Sequence, residues 1–190
     1  MFALRNNYVS VNIKHSFIHS FIQAFIHYSK NNCKIIIYME TIMPDAEMRT
    51  LAFSSLQYAN GYFNTFSKSL ANENTRFDID LLYQMAVMSL EKFYIALLAR
   101  YDWSATHHMP IAMYKEALTF EPELTEAMKH TSILVGKFEA ICSLDDFGYR
   151  QPSKDDLLAM KEGIKDIKLL VEKRLAEIEF KATISSEVLN

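Results

Sequence analysis

Apolar residues recur at helical spacing along almost the whole chain. In His15–His27, Phe17, Phe21 and Phe25 stand four apart with Ile18, Ile22 and Ile26 beside them, the broad stripe of an amphipathic helix. From Pro44 onward, polar punctuation separates five further stretches. Pro44 opens a helix to about Ala71, with Met48, Leu51, Ala52, Leu56, Ala59, Phe63, Phe66 and Leu70 on its apolar face. Asn72–Phe77 is a polar connection, and Asp78 caps a second helix from Ile79 to about Tyr101. That helix is rich in Leu, Met, Ala and Phe, so it is expected to be the most buried. Pro110 starts a short third helix to about Phe120. Pro122 starts a fourth to about Ser143, with Met128, Ile133, Leu134, Phe138 and Ile141 as core candidates. Each proline stands where a helix start lacks a use for its missing N–H. After an irregular loop, Leu144–Pro152, Ser153 caps a fifth helix whose first turn carries Asp155 and Asp156, favoured there by the helix dipole. Its stripe is Leu157, Leu158, Met160, Ile164, Ile167, Leu170, Val171, Leu175 and Ile178.

Short connections between such helices favour antiparallel neighbours, so the predicted fold is an all-α, antiparallel bundle of about five helices. No fixed-period self-similarity suggests a repeat array. Residues 39–180 form the bundle, 181–190 a frayed tail, and 1–38 an atypical N-terminal segment. Composition agrees: 190 residues with only four Gly and four Pro argue against a turn-rich β architecture. Cys33 and Cys142 form neither a disulfide framework nor a zinc pattern, which fits a reducing, cytoplasmic setting. No stretch of about 18 apolar residues is read in the chain, so no membrane-spanning helix is expected.

Charge changes along the chain. Residues 1–39 carry Arg5, Lys14, Lys30 and Lys34 and no acid; the remainder holds 16 basic against 23 acidic residues, a net of −7. An acidic body is a poor non-specific ligand for nucleic acid, so any RNA contact has to be local. For residues 1–38 several readings stay open. A secretory leader is opposed by the His, Gln and Ser that interrupt the apolar run. An over-extended reading frame would place the start at Met39 or Met43. An added helix would dock on the body or on a partner. His15 and His19 have the spacing of helical metal ligands, but no nearby Cys, Asp or Glu completes a site, and they read as a surface or packed pair. No phosphate-binding, dinucleotide, nucleophile-elbow or metalloprotease motif occurs. Acids on the fifth helix alternate with Lys as on a solvated face, without the Glu-x-x-His pairs of di-iron bundles. Neither metal nor cofactor is expected.

The order of segments resembles the HEPN domain over roughly residues 45–178. Met85–Ala99 looks like that family's helix of small and apolar residues around a Glu-Lys pair, here Glu91 and Lys92. Thr106-His107-His108 is similar to its Thr-His step before the third helix, and Phe147-Gly-Tyr-Arg150 with Pro152 to its aromatic-Arg-Pro loop before the last. The resemblance implies one of two functions. Many members are metal-independent ribonucleases, often toxins or defence proteins, with an Arg, then four to six intervening residues, then a His, assembled across a homodimer. Others are non-catalytic partners of small nucleotidyltransferases, or binding modules.

Arg100 and His107, with six residues between them, are the candidate catalytic pair. A His can move the 2′-OH proton near neutral pH, and an Arg fork can hold the scissile phosphate. Two departures stand out: Tyr101 follows the Arg where the family has a polar residue, and the pair straddles the exit of the second helix. The alternative is that Arg100 caps that helix end while His107 or His108 satisfies backbone groups before Pro110. His108, Tyr149 and Arg150 are candidate binding residues, with Tyr149 stacking on a base and Arg150 on phosphate. The structural alternative packs Phe147 and Tyr149 onto the bundle and pairs Arg150 with Asp145 or Asp146. Trp103 reads as a loop anchor, with a place at a dimer contact as the further reading, and Glu91 with Lys92 as a solvated strip or an interior polar pair. The favoured expectation is a non-enzymatic HEPN-like partner module, in a homodimer or with another chain; the second is a ribonuclease acting on RNA.

Overall fold

A computed structural model describes residues 44–138 and 151–188, with side chains to 179. Five helices, and no strand, occur among the described residues: α1 Ala46–Ala71, α2 Ile79–Arg100, α3 Pro110–Ala117, α4 Glu126–Gly136 and α5 Lys154–Val188. The fold is an all-α bundle, as expected. Residues 1–38, Ile141 and the loop holding Phe147, Tyr149 and Arg150 lie outside the described residues.

Local side chains set where the helices begin. Asp45 accepts from the Met48 amide at 2.8 Å, Asp78 from the Leu81 amide at 2.8 Å, and Thr125 from the Met128 amide at 3.3 Å. At the head of α5, Ser153 Oγ accepts from the Asp156 amide at 3.1 Å while Asp156 Oδ2 accepts from the Ser153 amide at 2.9 Å. This reciprocal box satisfies amides that have no carbonyl partner within the helix. Pro110 occupies the first turn of α3. Pro122 does not open α4, which is a correction to the sequence expectation. It sits in a turn whose Glu123 amide donates to Glu121 Oε1 at 2.9 Å. Thr125 caps the helix three residues later, because a capping hydroxyl supplies what proline lacks. The third helix likewise ends early, at Ala117, and passes through a turn to Phe120.

α1 and α2 form the largest helix pair. The Asp45 amide, before α1, donates to Asp102 Oδ1, after α2, at 3.2 Å, so the two run antiparallel. Asp102 is the one described non-glycine residue with positive φ, at 60°. α2 is the central helix, with thirteen buried residues from Leu82 to Arg100. By length and composition α2 could pass for a membrane span, which corrects the expectation that the chain holds no such helix. However, 61% of its most apolar window is buried inside this fold, so that apolarity fills the core. Tyr83 donates to the Val135 carbonyl at 2.9 Å, and Tyr94 pairs with Ser132 Oγ at 2.7 Å, fixing α4 against α2. Met113, Met128 and Met160 are core filler, as a flexible thioether permits. Two expected core residues face solvent instead, Ile133 and Leu158. Each lies one residue to the side of a fully buried neighbour, Ser132 and Leu157, so each is turned off the core face by about 100°.

Candidate functional site

The two residues of the candidate catalytic pair leave α2 in different company. Arg100 is the last residue of α2 and is 2% exposed. Its Nε donates to the Arg174 carbonyl of α5 at 3.2 Å, and its Nη2 lies 4.0 Å from Glu177 Oε2. The guanidinium stands 5.3 Å from the Tyr101 ring centroid. Burial pulls its pKa below the ordinary guanidinium value, against the opposing pull of Tyr101 and Glu177. The capping alternative is modified too, since the bond goes to α5 and not to Arg100's own helix end.

His107 is engaged with α3. Its side chain is 58% exposed, with Nδ1 2.8 Å from Thr106 Oγ1 and 3.4 Å from Glu116 Oε2. Thr106 Oγ1 donates to Glu116 Oε1 at 2.8 Å, and the Thr106 amide points to the same carboxylate at 3.2 Å. With the hydroxyl proton given to Glu116, Thr106 Oγ1 is an acceptor and His107 Nδ1 its donor. Nε2 is thereby assigned as the acceptor of the neutral ring. Trp103 Nε1 also donates to Glu116 Oε1 at 2.8 Å, and its ring lies 5.3 Å from Phe120, so Trp103 anchors the loop as expected. Burial alone would raise the Glu116 pKa, but hydrogen bonds from Trp103, Thr106 and His107 hold it below the ordinary carboxylate value. His107, Ile111, Ala112, Lys115 and Glu116 line a shallow, open depression.

No hydrogen bond or ion pair joins Arg100 to His107 among the described residues. His108 is almost wholly exposed, with Nδ1 3.6 Å from Glu91 Oε1. Glu91 and Lys92 are both half-buried and 3.8 Å apart, between the two readings given for them. Tyr149, Arg150, His15 and His19 lie outside the described residues, and no group of three metal-ligating side chains occurs among the described ones.

A second cluster escaped the sequence reading. Glu121, 0% exposed, takes a two-pronged bond from Arg174, Nε to Oε2 at 2.6 Å and Nη2 to Oε1 at 3.0 Å. Tyr101 donates to the same Oε2 at 2.8 Å. Arg174 also reaches Glu123 at 2.8 Å and Glu177 at 2.9 Å. The hydrogen bond to Glu121 leads the causes that raise the Arg174 pKa. Each charge here is met by another within the chain, so the cluster is a clamp that fixes the α3–α4 turn and the exit of α2 onto α5. It also occupies the surroundings of Arg100. The one signal for it in sequence is Arg174 itself, three residues from the buried Val171.

Chemically, His107 can accept a proton or hydrogen bond at Nε2 while Glu116 supports its other face. Arg100 is held in the clamp's neighbourhood and not at that nitrogen. Comparison with protein-family models, curated proteins and solved structures finds no match.

Proposed function

We propose that this chain is a cytoplasmic, non-enzymatic HEPN-like binding or partner module. It acts through its helical faces, as a homodimer or with another chain, in a toxin–antitoxin system or as the partner of a small nucleotidyltransferase. The observation that carries the reading is the burial of Arg100 against α5. A guanidinium in that position has exchanged solvent, and with it access to a phosphate, for a carbonyl and a carboxylate inside its own chain. The acidic balance of residues 40–190 points the same way.

A metal-independent endoribonuclease using Arg100 and His107 across a dimer is the second reading. In its favour is the orientation of His107, whose Nδ1 is held by Thr106 and Glu116 while the ring stays open to solvent. The deciding experiment incubates the full chain with varied RNAs in chelator and compares it with His107→Ala. The partner-module reading expects no cleavage by either. Cleavage by wild type that disappears in folded His107→Ala would overturn it in favour of the ribonuclease.

A further inference from the structure

α5 turns one face to the core and leaves another uncovered. Leu157, Met160, Ile164, Ile167 and Val171 are fully buried. At 100° per residue, the side opposite them carries Leu158, Glu162, Lys165 and Leu169. The two leucines are 42% and 55% exposed and the two charged side chains 65% and 55%; those two charges lie 3.8 Å apart within the helix, an exposed pair weak enough to be exchanged for pairing with a second copy. Their spacing of four, three and four residues is that of a helix–helix seam. Single exposed leucines are ordinary on a protein surface. Two of them on one stripe, three turns apart with opposite charges between, form a pattern that can be matched to a partner.

The pattern matches itself in one orientation. Leu158 and Leu169 lie symmetrically about the midpoint between Gly163 and Ile164, and so do Glu162 and Lys165. When a second α5 is laid antiparallel about a two-fold axis at that midpoint, Leu158 meets the partner's Leu169. Glu162 meets the partner's Lys165, and each contact occurs twice. A parallel pairing would set Glu162 against the partner's Glu162 and Lys165 against the partner's Lys165. An isologous interface requires this self-complementarity, and unlike charges at seam positions select orientation.

We infer that the outer face of α5, centred on Leu158, Glu162, Lys165 and Leu169, is a self-association surface on which a second copy of this chain docks antiparallel. The inference gives the homodimer of the partner-module reading a surface and a register, and in that sense rests on it. Beyond these four residues the register sets Asp155 opposite the partner's Glu172, which confines the seam to its central turns. Its contact area falls below the about 1,600 Å² of a standard complex, so the dimer is weak and depends on concentration.

The test is sedimentation equilibrium of the full chain from low micromolar to near-millimolar concentration, with helix content checked by circular dichroism. Wild type is expected to dimerise reversibly. Leu169→Glu, a change at an exposed position, is expected to remain monomeric with unchanged helix content. Glu162→Lys alone and Lys165→Glu alone each set like charges opposite one another and should weaken self-association by about tenfold or more. Mixed in equal amounts, these two variants should recover a dimer, because both facing pairs become complementary. A monomer at every wild-type concentration overturns the inference. So does a dimer indifferent to Leu169→Glu, although the partner-module reading then survives on another surface. His107-dependent RNA cleavage removes that reading without touching this result.

Discussion

Arg174 forks onto Glu121 across 53 residues of sequence, and the carboxylate it holds has no exposure to solvent. Removing one partner of such a pair leaves the other charge buried without its counterpart, at a cost of about 3–5 kcal/mol. Arg174→Ala is therefore expected to lower stability by about 3 kcal/mol, measured by urea unfolding. Glu121→Gln, which keeps the shape and some of the hydrogen bonds, should lower it by less.

The same pair makes a prediction about pH. Burial opposes ionisation of Glu121, but hydrogen bonds from Arg174, the Glu123 amide and Tyr101 outweigh it and hold the pKa below its usual 4.5. A depressed folded-state pKa contributes stability above the unfolded value and loses it as pH falls through the folded value. Wild type should lose stability below about pH 4.5 more steeply than Glu121→Gln, in unfolding midpoints collected across that range.

Gly163 is required by the crossing of α4 and α5. A Cβ there would land on the Thr131 hydroxyl and within 2.8 and 2.9 Å of Thr131 Cγ2 and Cβ. Gly→Ala inside a helix ordinarily gains about 1 kcal/mol. Here Gly163→Ala should instead destabilise by about 1–3 kcal/mol through overpacking. Thr131→Ala in the same chain, by removing two of the three obstructing atoms, should recover part of the loss in thermal melts.

Asp102 occupies the left-handed region with φ 60° and accepts the Asp45 amide at 3.2 Å. Asn tolerates that conformation and keeps a carbonyl oxygen, so Asp102→Asn should be nearly neutral. Asp102→Ala loses both the tolerance and the acceptor and should cost about 1–2 kcal/mol. Chemical denaturation of the two variants side by side checks the difference.

Arg100 and His107 should separate in stability as they do in position. His107→Ala removes an exposed ring and is expected to change stability by no more than about 0.5 kcal/mol. Arg100→Ala removes a buried side chain together with its bond to the Arg174 carbonyl, and about 1–3 kcal/mol should be lost. Equal effects in urea titrations would contradict the environments assigned to the two residues.

The number of helices in the body, the caps at Asp78 and Ser153 and the burial of α2 were legible in the sequence alone, whereas the first helix is capped by Asp45 and not opened by Pro44. Each depends on residues within a turn or two: a carboxylate or hydroxyl three positions ahead of an amide, or apolar side chains repeating with the pitch of the helix. Periodicity could not say which edge of a stripe meets the core, so Leu158 was counted inside when it faces out. Nor could it show that Thr125 rather than Pro122 begins α4, because both are acceptable starts and the Glu121 turn between them depends on Arg174. The candidate site was legible only as residue types. Arg100 finds its carbonyl 74 residues away on α5, while His107 turns to Glu116 on α3. Polar side chains take whatever partners the packed helices bring near, and helix packing is settled by the sum of apolar contacts over the whole bundle. The sequence by itself therefore determined the elements and their buried faces. Only the tertiary structure decided that Arg100 is buried against α5 beside the clamp while His107 lies at the surface.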